Sequence, residues 1–268
     1  MGADTKSLRN RIKSVDSTLH LTKAMGLVAS SKIRRATDGM LKGREYAAAV
    51  SDAVRLLITC PECQKSPYMQ RREGERTKLI AIAGDRGLAG GYNANVFRLA
   101  KEFPGADILP IGKRACDRFG EGYSSSESFS YADAKALADT LCAAFAAGEF
   151  DRLGILSTKY QSMMVQEATV TWVLPLTADG IAGENHSVLF EPNEIQILNA
   201  AVPEYVAGLL VAAARESFAS EVAARRTAMD AAGKNAQQMI DDLQLEYNRA
   251  RQGAITQEIT EIVAGSGT

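Results

Sequence analysis

Three groups of residues in this chain have the types and spacing for chemistry. The first, GDRGLAGGYNANV at 84–96, follows an apolar run and leads into a helical pattern. That is the order in which a glycine loop presents backbone N–H groups to a phosphate. Yet Gly84, Gly87, Gly90 and Gly91 do not give G-x-G-x-x-G, and no G-x-x-x-x-G-K-[ST] occurs. Gly112-Lys113 is followed by Arg114, without the hydroxyl that would hold magnesium. The loop therefore reads as backbone geometry ahead of phosphate binding. The second group is Cys60 and Cys63 in CPEC. Zinc would need a second ligand pair, and only His20, His186 and the scattered Cys116 and Cys142 are left to supply it. The four cysteines read as incidental thiols of a reducing compartment, ahead of zinc or redox work. The third, Asp241-Asp242, lies in a charged helical stretch and reads as a solvated face. No nucleophilic or acid–base constellation emerges, so no catalysis by this chain is expected, and no cofactor or metal.

Unlike these, NRARQGAITQEITEIV at 248–263 is a patterned helical segment where chains usually fray. The elements around it explain how it is carried. All seven prolines, at 61, 67, 104, 110, 175, 192 and 203, fall between the two ends. A proline inside a helix costs about 3 kcal/mol, so both proline-free ends are permitted to be very long helices. Leu8, Ile12, Val15 and Leu19 form one helical stripe, continued by Ala47, Val50, Val54 and Leu57. Ala232, Ala236, Met239 and Leu243 form another, running through Tyr247, Ala250 and Ala254 toward Ile259 and Ile262. Seams of this period, rich in alanine, predict an antiparallel coiled coil of residues 1–60 with 204–265. Sixty residues at about 1.5 Å each make a rod of about 90 Å, which is expected to protrude. Gly26, Gly39, Gly43, Gly233 and Gly253 interrupt the stripes and mark possible breaks or partner contacts. Ordinary shorter helices in a compact bundle are the other reading.

The middle, 76–195, has a different rhythm. KLIAIAG, ADILPIG, RLGILST and ATVTWVLPL, starting at 78, 106, 152 and 168, are short strand-like runs. A helical pattern, YADAKALADTLCAAFAAGEF, spans 131–150. Their alternation predicts a layered, Rossmann-like α/β domain with a largely parallel sheet. The fold class is thus α/β with a long terminal coiled coil.

Composition narrows the partners. A net charge of -1 and pI near 6.2 remove the electrostatic case for nucleic acid. Residues 1–60 nevertheless carry eleven Lys and Arg against five Asp and Glu, whereas 204–268 carry six against nine. Opposed charge suits lateral pairing of the two helices. AGLLVAAA at 207–214 is among the longest apolar runs, short of the roughly 20 residues of a membrane helix. MGADTKSLRN has no apolar signal core, and Lys6 stands where myristoylation wants Ser or Thr. A cytoplasmic chain is expected.

Three stretches carry a resemblance: LTKAMGLVASSKIRRA at 21–36, GDRGLAGGYNANV at 84–96 and YNRARQGAITQEITEIVAGS at 247–266. Together they resemble the gamma subunit family of F-type ATP synthases, over the whole chain. The resemblance implies a shaft whose tip enters a ring of alternating alpha and beta subunits. Ile255, Ile259 and Ile262 would serve the coil and an apolar bearing, with the polar residues between them facing the ring. It places Arg251 and Gln252 against a catching loop of one beta subunit, with Thr256 and Glu258 in the same sensitive helix. Met25 and Arg225 fall at two further coupling positions. Lys42, Arg44 and Glu45, in LKGREYA at 41–47, and Tyr205 correspond to the foot, which docks on the membrane c-subunit ring and the epsilon subunit. The implied location is the cytoplasmic face of a bacterial plasma membrane. Gly84 stands where the family usually has serine, Ala89 where cysteine is common, and Ser266 follows Gly265 where alanine is expected. The long cysteine-bearing insertion of chloroplast members is not seen, so redox control is not expected.

The reading is a rotating, non-catalytic shaft that couples ion flow through the c ring to conformational change at the beta-subunit sites. The rival is a nucleotide-binding α/β enzyme with helical dimerisation arms, and a third possibility is a coiled-coil adaptor for another ring.

Overall fold

A proline-free run of 57 residues forms one unbroken helix, α1 (Gly2–Ile58), in the computed structural model of this chain. The structure describes residues 2–72, 74, 76–178 and 190–265; His186 and Ser266 lie outside them. After α1 come a 3₁₀ turn (Pro61–Lys65), β1 (Thr77–Ile82), α2 (Tyr92–Ala100), β2 (Asp107–Ile111), α3 (Lys113–Phe119), α4 (Tyr131–Ala146), β3 (Arg152–Tyr160), β4 (Gln166–Leu174) and the 72-residue α5 (Glu194–Gly265).

The last helix is longer than the coiled-coil segment 204–265: α5 starts ten residues earlier, at Glu194, with Pro203 inside. Burial explains the difference. Leu198, Val202, Val206 and Leu210 are all fully buried around that proline. At about 1.5–3 kcal/mol for each such side chain, their burial outweighs the roughly 3 kcal/mol cost of a mid-helix proline. The same segment corrects the reading of apolar length. α5 contains one stretch long and apolar enough to cross a membrane, and half of that stretch is buried within the structure. Its apolarity is used in the core, where Ala207, Val211 and Ala214 also pack.

The chain divides into two compact units, Met1–Ser30 with Arg225–Thr268, and Ser31–Ala224. In the first, α1 and α5 pair antiparallel. Leu19, Ala236 and Ile240 form its buried centre, with Ile12 and Val15 packed beside them. A Cβ added to Gly26 would meet Met229 Cβ at 3.6 Å, and one on Gly233 would meet Thr22 Oγ1 at 3.7 Å. These glycines face the neighbouring helix without breaking either one, whereas Gly39 and Gly253 have nothing within 4 Å. One seam residue is corrected. Met239 is 46% exposed and Ile240 is buried at 6%, so the stripe steps from Ala236 to Ile240 to Leu243.

The second unit holds a four-stranded sheet in the order β2-β1-β3-β4. β1 pairs parallel with β2 and β3, and β4 pairs antiparallel with β3. The reversal follows from chain length: a five-residue link between β3 and β4 suffices for a hairpin but not for a crossover. Ile80, Ile82, Ile111, Leu153 and Ile155 pack with α4 and the inner ends of α1 and α5. Val96, Ala100 and Ala115, from α2 and α3, pack with Ala83 and Leu156 in a second cluster. Here too α1 and α5 run antiparallel. A Cβ on Gly43 would lie 3.3 Å from Ala212 Cα, and one on Gly208 2.9 Å from the Tyr46 ring. Arg44 pairs with Glu216 from α1 to α5, while Arg226–Asp230 and Arg55–Asp52 stay within one helix.

Candidate functional site

The end of α5 presents its polar and apolar side chains together to solvent. Arg251, Gln252, Thr256 and Glu258 are all exposed, as are Ile255 at 47%, Ile259 at 56% and Ile262 at 70%. The isoleucines therefore do not serve the coil in this chain; the seam ends on the half-buried Tyr247, Ala250 and Ala254. Thr256 Oγ1 donates back to Gln252 O at 2.9 Å, and Gln257 Nε2 donates to Glu261 at 2.8 Å, so these contacts stay within the helix. What remains is an exposed, mixed surface on the proline-free end of α5.

Met25 and Arg225 are both half-buried in the same unit. The residue that ties the two helices together beside them is Arg226. Its Nη1 donates to Gly26 O at 3.1 Å and to Ser30 Oγ, and its Nε donates to Asp230 at 2.9 Å. Sequence reasoning missed it, since an arginine next to Arg225 carries no signal of its own.

In the second unit the glycine loop is occupied by protein. The N–H of Gly84 donates to Asn93 Oδ1 at 2.9 Å, and that of Arg86 to Glu221 Oε1 at 3.4 Å. Glu221, on α5, is only 2% exposed, and a Cβ on Gly84 would lie 2.6 Å from its carboxyl carbon. Glycine at 84 thus makes room for a carboxylate of α5, at the place where a phosphate would need positive potential. Further contacts join the same face of α5 to the sheet domain. Tyr92 Oη donates to Ser217 O at 2.9 Å, the Thr158 N–H to Ser217 Oγ at 3.2 Å, and the Tyr160 N–H to Glu216 at 3.0 Å. Burial, foremost, and the nearby Glu221 push the Tyr92 phenol up, so it stays a hydrogen-bond donor.

Below the loop, Asp85 gathers a second set of donors. It accepts from Ser125 Oγ at 2.7 Å and from the N–H groups of Ser126, Glu127 and Lys113 at 2.8, 3.2 and 3.2 Å. Burial alone would raise this carboxyl, but these hydrogen bonds outweigh it and hold the pKa below the ordinary aspartate value. Glu127 in turn pairs with Lys32 of α1 at 2.7 Å.

The expected foot residues do not form one cluster. Lys42 and Glu45 are exposed on α1, and Lys42 lines a cavity of about 630 Å³ with Arg34, Arg35, Asp38 and Arg215. Arg44 is engaged internally, its Nη2 donating to Tyr160 O and to Glu216, each at 2.6 Å. Tyr205 lies further along the pair, in a cavity of about 570 Å³ with Arg55, Trp172 and Pro175. Between these places sits a group that sequence reasoning did not single out. Tyr131 Oη donates to Glu204, Lys135 Nζ lies 3.2 Å from Glu204, and the Tyr46 ring stands edge-on to Tyr131 at 6.4 Å.

A family model described as ATP synthase matches residues 4–268. The ATP synthase gamma chain of Ruminococcus albus is 39% identical over 281 residues, with 98% of each chain covered. That of Geotalea uraniireducens is 34% identical at the same coverage. The chain belongs to the ATP synthase gamma-chain family. A third gamma-chain relative, from Acetobacterium woodii and named sodium ion specific, is 35% identical over 298 residues, covering 99% of each chain. The fold is similar to that of a chain in the structure of the Euglena gracilis mitochondrial ATP synthase rotor in rotational state 1, with a TM-score of 0.64, 16% identity and coverage of 95% of this chain and 100% of that one. A Tetrahymena thermophila mitochondrial central stalk and c-ring structure matches at a TM-score of 0.62 and 22% identity, covering 79% of this chain and 99% of that one. As a gamma chain, the protein is a subunit of the ATP synthase complex.

Proposed function

We propose that this chain is the rotating central shaft of a membrane-bound F-type ATP synthase, without a catalytic site of its own. The observation that carries the reading is family membership over nearly the whole length of both chains, on two helices of 57 and 72 residues that pair antiparallel in each unit. Its partners are the alpha and beta subunits around the tip, and the epsilon subunit and membrane c ring at the foot. Its place is the cytoplasmic face of a bacterial plasma membrane. Residues 1–60 and 204–265 act as the shaft, and 76–195 as the body that braces the foot.

An asymmetric shaft shifts the catalytic states of its partners only by binding them differently at each angle. Arg251 and Gln252 make that angle-dependent contact with one beta subunit, and Thr256 and Glu258 support it. Met25 and Arg225 serve coupling at the helix pair. Lys42, Glu45 and Tyr205 meet the c ring and epsilon, while Arg44 braces the foot through Glu216 and Tyr160. The exposed, mixed character of the tip supports this reading, because a wholly apolar face would hold the shaft at one angle. Against the enzyme reading stands the glycine loop, whose Gly84 and Arg86 N–H groups are already bonded to Asn93 and Glu221.

A charge-assisted contact at Arg251 is worth about 1–3 kcal/mol in one angular state. Arg251→Ala is therefore expected to lower the steady-state ATP turnover of the complex reconstituted with alpha and beta subunits, by fivefold or more. Unchanged turnover would remove Arg251 from the contact.

A further inference from the structure

We propose that Cys60 and Cys63 are a disulfide-forming pair at the exit of α1, oxidised by low-molecular-weight disulfides. The placement follows from local geometry. Cys60 caps the 3₁₀ turn that Pro61 opens, and the Cys63 N–H donates to Cys60 O at 3.0 Å. Cys60 is the N-cap, with extended backbone (φ -71°, ψ 130°), and Cys63 is the third helical residue; the side chain of an N-cap residue is the one that can reach the third position, so the two cysteines face each other across one turn.

Their surroundings are unequal, which assigns the roles. Cys60 is half-exposed, its Sγ contacting Leu56 O at 3.8 Å. Cys63 is 0% exposed and belongs to the core cluster with Leu57, Ile58 and Tyr68. Only Cys60 is open to a reagent. Its thiolate attacks one sulfur of oxidised glutathione, forming a mixed disulfide and releasing one glutathione thiolate. Cys63 Sγ then attacks Cys60 Sγ and displaces the second glutathione, whose leaving sulfur takes up the Cys63 proton. Two protein thiols are oxidised to one disulfide, and one glutathione disulfide is reduced to two thiols.

The same asymmetry makes the bond slow to open. A reductant cannot reach the buried Cys63 sulfur, so it must attack Cys60 Sγ and expel Cys63 as the leaving thiolate. Burial, foremost, together with Cys60, Glu194 and Glu62, pushes the Cys63 thiol up to about 11, and a thiol of high pKa leaves slowly. Cys142, buried in the same core with its thiol pushed up to about 12, has no such partner at i±3.

The test uses the full chain incubated with oxidised glutathione, then blocked with N-ethylmaleimide and cut with trypsin without reduction. Cleavage after Arg55 and Lys65 places both cysteines in one peptide, 56–65. The expected product is that peptide two hydrogens lighter than its dithiol form. Cys63→Ser should instead accumulate a glutathione adduct on Cys60, and Cys60→Ser should leave Cys63 unmodified. A stable glutathione adduct on the wild-type peptide, or alkylation of Cys60 with Cys63 either left as a free thiol or alkylated too, would overturn the proposal.

Discussion

At the residue scale, two side chains that no motif announces do much of the positioning. Arg226 is one. Its guanidinium joins α5 to the Gly26 carbonyl and Ser30 of α1, and its side chain is 30% exposed. Arg226→Ala should lower unfolding stability in urea by about 1–2 kcal/mol, with part of the pair's energy already lost to solvent screening. An unchanged midpoint would mean the contact contributes nothing. Asp85 is the other. Its carboxyl lies below the ordinary value in the folded chain, so its contribution is present above the unfolded pKa, near 3.8, and fades as pH falls through the folded one. Asp85→Asn should therefore be less stable than the parent at pH 7, the gap closing on acidification below about pH 4. A gap that is constant with pH would contradict this. Neither role was legible in the sequence. Glu221 reaches the loop from 135 positions beyond Arg86, and Asp85 draws donors from 28 to 42 positions away. Such partners depend on tertiary packing, which no spacing rule contains.

At the element scale much more was readable, because periodicity reports directly on burial. The four strand-like runs became β1 to β4, and Leu8, Ile12, Val15 and Leu19 do turn inward on α1. What failed were choices between neighbours of equal hydrophobicity. Met239 and Ile240 both fit a helical stripe after Ala236, and only the packed pair selects Ile240. Ile240→Ala should cost about 2–4 kcal/mol in thermal unfolding, whereas Met239→Ala should stay within about 0.5 kcal/mol. Equal effects would restore the first assignment. Pro203 lies inside α5 for a related reason: a backbone rule with a fixed cost yielded to four fully buried side chains around it. The exposed Ile255, Ile259 and Ile262 followed the helical period without having a helix to cover them. An apolar period on a helix marks a face, and what the face meets is a separate question.

For the molecule as a whole, the tail's unusual order has a physical reading. The proline-free end of α5, with an exposed mixture of Arg251, Gln252, Thr256 and Glu258 among isoleucines, suits the repeated, weak contacts proposed for it with a surrounding ring. The sheet domain holds α5 through Glu216, Ser217 and Glu221, so it braces the shaft helix with the loop that looked like a nucleotide site. The function was legible only through the resemblance of three stretches, since a shaft has no reacting atoms whose types and spacing would announce it. Rotation itself is therefore the most direct measurement. A bead attached to this chain, in a complex with immobilised alpha and beta subunits, should turn stepwise and in one direction while ATP is hydrolysed. Hydrolysis at full rate with the bead stationary would contradict the account.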